Sequence, residues 1–170
     1  VPWNALLANG AHSFVQALLL VVLPLLAYAL IRSQGGGDPQ IGLHHGFKGM
    51  QLSCSAMTAE AMHLSAPASI HSRSTEAHNQ DKVSMGAIAA RDARSIAELA
   101  ENIAAIHLIA ACQALELRGI EKASPTSAAV HRLVRTRIDF LDRDRRLDRD
   151  IQAAVELIRS GEIIAARPVA

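Results

Sequence analysis

Ile96, Leu99, Ile103, Ile106 and Ala110 recur at spacings of 3, 4, 3 and 4 residues, the mark of one apolar seam on an α-helix. The pattern predicts a helix from about Met85 to Arg118, with Ser84 as its N-cap and Gly119 ending it. Ala100, Leu108, Cys112 and Leu115 lie off the seam and are apolar too, so the helix is greasy on more than one side. Such a rod would span roughly 50 Å at about 1.5 Å per residue. A chain of 170 residues is too small to cover it alone, and packing between subunits is the natural remedy.

Composition supports the same architecture. Half of the residues are hydrophobic but only 3% are aromatic. The apolar mass is Ala, Leu, Ile and Val, which favours close-packed helices over a β-sandwich. The predicted class is all-α, a long-helix bundle. Further helices are expected over Met50–Ser65, stopped by Ala66-Pro67, over Ser127–Phe140 and over Arg149–Ser160, ended by Gly161. Residues 41–49 read as a turn because Gly42, Gly46 and Gly49 interrupt any regular pattern. Residues 141–150 alternate in charge sign and read as a solvated, self-paired surface turn.

The beginning of the chain is different in kind. Residues 14–31 carry one polar side chain, Gln16, and Pro24 would kink them. A buried core helix is the favoured reading; a membrane segment at the lower length limit is the alternative. A third is an N-terminus outside the original reading frame. Residues 1–13 hold no Lys or Arg, so a secretory signal lacks its basic region. Residues 33–40, with three glycines and Asp-Pro, form a linker. The chain thus divides into an apolar segment plus linker, 1–38, and a helical region, 39–170.

Several function classes find little support. The formal net charge is +1 and no basic block is set among aromatics, which argues against nucleic-acid binding. Eight histidines show no metal-ligand spacing, and His107 reads as a core or interface histidine. There is no G-x-S-x-G elbow, and the glycine run 35–37 lacks a following Lys-Ser/Thr. Cys54 and Cys112, each flanked by small apolar residues, read as buried free thiols in a reducing cytoplasm.

One polar segment stands out, Ser74 to Gly86, between two apolar helical stretches. Its amides and carboxylates are placed to face a shared internal cavity. Glu76 can ionise; Asn79 and Gln80 donate and accept without titrating. Lys48, in the preceding glycine-rich turn, could approach the same space. One carboxylate, one ammonium and two amides form a kit for holding a zwitterionic amino acid. The plainer alternative is an ordinary Lys48–Glu76 ion pair with the amides bracing the loop.

Gly46-Phe47-Lys48-Gly49, the segment Ser74 to Gly86, and Ala110-Ala111-Cys112-Gln113-Ala114-Leu115-Glu116-Leu117-Arg118 stand in an order and spacing that resemble the aromatic amino acid lyase family. Asp142-Arg143-Asp144-Arg145 with Asp150-Ile151-Gln152 resembles that family's terminal segment. The likeness covers about residues 39–165. It implies a mostly helical homotetramer with active sites assembled from several subunits. It implies elimination of ammonia from an aromatic L-amino acid to give an α,β-unsaturated acid, with a methylidene-imidazolone (MIO) electrophile formed from Ala-Ser-Gly. His78-Asn79-Gln80-Asp81 resembles the phenylalanine and tyrosine lyases rather than the histidine lyases. By that match Glu76 and Gln80 belong to the catalytic set, with Glu76 near the substrate amino group. Lys48 and Asn79 bind substrate or cofactor, and no metal is implied.

The departures are as informative. The chain contains no Ala-Ser-Gly, its one tyrosine is Tyr28, and the family's arginine clamp is missing. It therefore reads as the C-terminal third of a lyase behind an unrelated or frame-shifted beginning, inactive alone. The alternatives are a non-catalytic partner of a complete lyase subunit and a membrane-anchored interaction protein.

Overall fold

The computed structural model describes residues 43–79 and 83–166. The apolar run 14–31, the linker 33–40 and Gln80 lie outside them. Within the described residues the fold is all-helical, as composition and periodicity predict.

Helix α1, Lys48–Leu64, buries Met50, Cys54 and Thr58. That spacing of four lays one stripe along the helix against its neighbour. The chain turns at Ser65, whose amide donates to Ala61 O, and Pro67 prevents continuation. A 3-10 turn, Ala68–His71, leads into the polar loop. Helix α2, Gly86–Arg118, is 33 residues long. Its buried residues run only from Ile103 to Ala114, so the predicted seam is covered at Ile103, Ile106 and Ala110 and only half-buried at Ile96 and Leu99. Gly119 ends α2 with φ +99°, which favours glycine.

Helix α3, Pro125–Arg135, opens with Pro125 in its first turn. Its N-cap is Ser124, whose Oγ accepts from Ser127 N at 3.1 Å. The expected helix to Phe140 stops earlier because Arg135 turns back on the chain. Its Nη1 donates to Ile138 O at 3.1 Å and Asp139 O at 3.3 Å, carbonyls that a continuing helix would not need satisfied from a side chain. Ile138 is buried all the same. Helix α4, Asp148–Arg159, starts with Asp148 and Asp150 in its first turn, the favourable end for acidic groups. Gly161, at φ +77°, separates it from the single turn α5, Glu162–Ala165.

The core gathers Phe47 ahead of α1, Ile106 and Ile109 of α2, Val134 of α3, Ile138 and Leu157 of α4. Two polar devices pin Leu141, in the stretch between α3 and α4, and α3 itself onto α2. Gln113, fully buried, uses its amide twice on one residue: Nε2 donates to Leu141 O and Oε1 accepts from Leu141 N, both at 2.8 Å. Glu116 accepts from Arg135 Nε at 2.7 Å and lies 2.5 Å from His131 Nε2. Burial alone would raise the Glu116 pKa, but the hydrogen bonds from Arg135 and His131 outweigh it and hold it below its usual range.

Three local readings are corrected. Gly49 lies inside α1 rather than in a turn, because Phe47 buries itself as the N-cap and the helix begins directly behind it. Met85, not Ser84, is the N-cap of α2, at φ +57°; Ser84 Oγ reaches only Gly86 N, at 3.4 Å. Residues 141–150 pair internally through Arg145–Asp150 and Arg146–Asp148, as alternating signs predict, yet Leu141 is buried and Asp144 reaches far across the fold. Cys54 and Cys112 are free and buried, and burial pushes both thiols up to about 11.

Candidate active-site surface

Two pieces of backbone present the candidate residues. The first is the turn ahead of α1. Phe47 is fully buried and anchors the turn. Gly46 has φ +54°, a left-handed conformation that suits glycine. Lys48 N donates to His45 O at 3.2 Å, closing the turn. Lys48, the first residue of α1, is exposed.

The second is the polar loop. Ser72 closes its base: its Oγ accepts from Val83 N and donates to Val83 O, both at 3.0 Å. One half-buried hydroxyl thus ties together two residues 11 apart, closing the base of the segment as in a compact Ω-loop. Ser74 Oγ sits 2.6 Å from His78 Nδ1. Asn79 N donates to Glu76 O at 2.9 Å. Between these bonds Glu76, Ala77 and His78 all take positive φ, at 50°, 50° and 68°. Three consecutive non-glycine residues in the left-handed region store strain, which clusters at functional segments.

Glu76 and Asn79 are exposed like Lys48. Lys48 and Glu76 do not pair with each other, so the plain ion-pair reading is not realised among the described residues. A cleft of about 360 Å³ among the described residues is lined by Leu108, Cys112, Val130 and His131, not by Lys48 or Glu76. Glu76 to Asn79 are all exposed, and among the described residues no wall closes over them. His107 on α2 is half-buried, and desolvation lowers its pKa. Sequence reasoning missed Ser72 and Asp144, which hold the two presenting segments. Neither lies in a charge or spacing pattern that announces a contact so distant along the chain.

Residues 33–136 match the aromatic amino acid lyase family model. The chain belongs to the aromatic amino acid lyase family. This lyase chain is 44% identical over 124 residues to the tyrosine ammonia-lyase of Cupriavidus metallidurans, covering 72% of itself and 23% of that protein. It is 40% identical over 125 residues to the histidine ammonia-lyase of Myxococcus xanthus, covering 74% of itself and 25% of that protein. Its fold superposes on the tyrosine aminomutase of Streptomyces globisporus with a TM-score of 0.73 at 32% identity, over 89% of this chain and 31% of that one. The lyase chain therefore spans about a quarter of the length of the curated relatives it matches. The family uses an MIO group, but no Ala-Ser-Gly from which to form one occurs in these 170 residues. These residues therefore do not form that group by themselves.

Proposed function

We propose that this chain supplies the C-terminal helical part, residues 39–170, of an ammonia-lyase of the phenylalanine/tyrosine type. It acts on an aromatic L-amino acid in a site completed by polypeptide that carries the electrophile. The observation that carries this reading is that a stapled and strained loop exposes His78 and Asn79, the first two residues of the sequence run His78-Asn79-Gln80-Asp81. The strong relatives include both tyrosine and histidine lyases, so this run bears the subgroup assignment.

The proposed roles follow from the chemistry of each side chain. The Lys48 ammonium attracts the substrate carboxylate. The Glu76 carboxylate accepts hydrogen bonds from the substrate amino group. Asn79 and Gln80 fix orientation through amides that neither give up nor take a charge, so no acid or base step falls to Gln80. Elimination itself requires the electrophile, which these residues do not contain. The exposed apolar part of α2 is the surface on which other subunits of a tetramer, or a complete lyase subunit, would pack. Buried free thiols fit a cytoplasmic protein. Residues 1–38 stand outside this role.

The test is complementation. The chain is mixed with a lyase polypeptide that carries Ala-Ser-Gly but lacks the region equivalent to 39–170. Cinnamate or coumarate should form from Phe or Tyr in the mixture and not with either component alone. Co-eluting components that form no unsaturated acid would sink the reading. Product from histidine alone would move the chain to the histidine lyases.

A further inference from the structure

Asp144 belongs to the alternating-charge segment near the C-terminus, yet its partners lie at the other end of the described chain. Its Oδ2 accepts from His45 N at 2.8 Å and its Oδ1 from Gly46 N at 2.9 Å. Two successive backbone amides converge on one carboxylate, the arrangement by which such nests bind anions. Here the anion is supplied by a residue 98 to 99 positions away. These two amides belong to the turn that delivers Lys48. Gly46 occupies the left-handed region, and Phe47 is sunk in the core. The turn is thus held from below by an apolar anchor and from the side by a charge.

We infer that Asp144 is a positioning residue for Lys48: its carboxylate fixes the His45–Phe47 turn, and with it the point from which the lysine reaches a substrate. This deepens the proposed amino-acid site and rests on it for its functional consequence, though not for its structural one. The neighbouring segment is suited to the task. Arg145 pairs with Asp150 and donates to Asp139 O at 3.1 Å, so Asp144 is displayed from a braced backbone. Its pKa is lowered, chiefly by the hydrogen bond from His45 N, with Gly46 N and the charges of His44 and His45 adding to it.

The inference has two readouts, one independent of catalysis. Amide exchange in the full chain is followed by NMR for Asp144→Asn and Asp144→Ala. His45 and Gly46 should lose about tenfold or more of their protection while the α4 amides keep theirs. Unchanged protection of His45 and Gly46 in Asp144→Ala overturns the inference whatever the activity. In the complemented lyase, Asp144→Asn should raise the KM for the amino acid about tenfold with kcat within about twofold. The double variant with Lys48→Ala should be no worse than Lys48→Ala alone, because the two changes remove one effect. An additive loss would mean that Asp144 only stabilises the fold, and would overturn the positioning role. Should the unaltered mixture be inactive, the proposed function fails, and amide exchange decides on Asp144 by itself.

Discussion

The two halves of α2 are built from similar residues and have different surroundings. From Ile103 to Ala114 the helix is buried by α1, α3 and α4. From Gly86 to Asn102 the same Ala- and Ile-rich pattern runs on, and no residue there is buried. Ile106 is fully covered, whereas Ile88 is 36% exposed. Periodicity records which positions want covering, not what covers them. The second half is the core of the described residues; the first half is apolar surface that none of them buries. The polar loop leads into that uncovered end of α2, so the candidate residues and the uncovered surface fall in one place.

Parallel truncations test that contrast most directly. Ile106→Ala should cost about 3 kcal/mol in urea unfolding, the transfer term plus a cavity that a packed core cannot close. Ile88→Ala should cost less than about 0.5 kcal/mol in the isolated chain, as exposed substitutions do. In the complemented lyase Ile88→Ala should weaken association measurably by sizing or titration. Equal stability losses at the two positions would show that the ends of α2 do not differ in burial.

The polar joint within the covered half gives the next largest effect. Glu116→Gln leaves Arg135 and the buried His131 short of their carboxylate, and about 2 kcal/mol should be lost. A pH series assigns the loss. The folded-state pKa of Glu116 is depressed, so its contribution is present above the ordinary carboxylate pKa of about 4 and disappears as pH falls through the lower, folded value. The difference between parent and variant should therefore be flat at neutral pH and shrink in acid. A difference that grew in acid would assign the effect to another group.

Much of this division is legible in the sequence, and the rest is not for definable reasons. The 3, 4, 3, 4 seam locates α2 nearly to the residue because a helix has one period and Gly119 one role. Ser65, Pro67 and Gly161 mark ends for equally local reasons. Local pattern fails where a side chain reaches across the fold. Arg135 cuts α3 short by taking two carbonyls, and Asp144 leaves its alternating-charge neighbours to hold residues 45 and 46. At the candidate site the sequence shows which residues are chemically able. It does not show that Ser72 closes the loop or that the loop's middle is left-handed.

That left-handed stretch supplies the smallest and most pointed prediction. Ala77 has φ 50°, a conformation that costs a non-glycine residue roughly 1–2 kcal/mol. Glycine adopts it freely but loses more freedom on folding, so Ala77→Gly should stabilise the chain by no more than about 1 kcal/mol. A stabilised fold with a lower turnover in the complemented lyase is expected, because the strain holds Glu76 and Asn79 in one arrangement and glycine on their shared backbone releases it. The exposed end of the molecule would then differ from the covered end in a second respect: its residues are chosen for the place they hold a neighbour rather than for the stability they confer. If Ala77→Gly instead destabilised the chain and left turnover untouched, the loop would be ordinary surface, and the contrast between the two ends would reduce to burial alone.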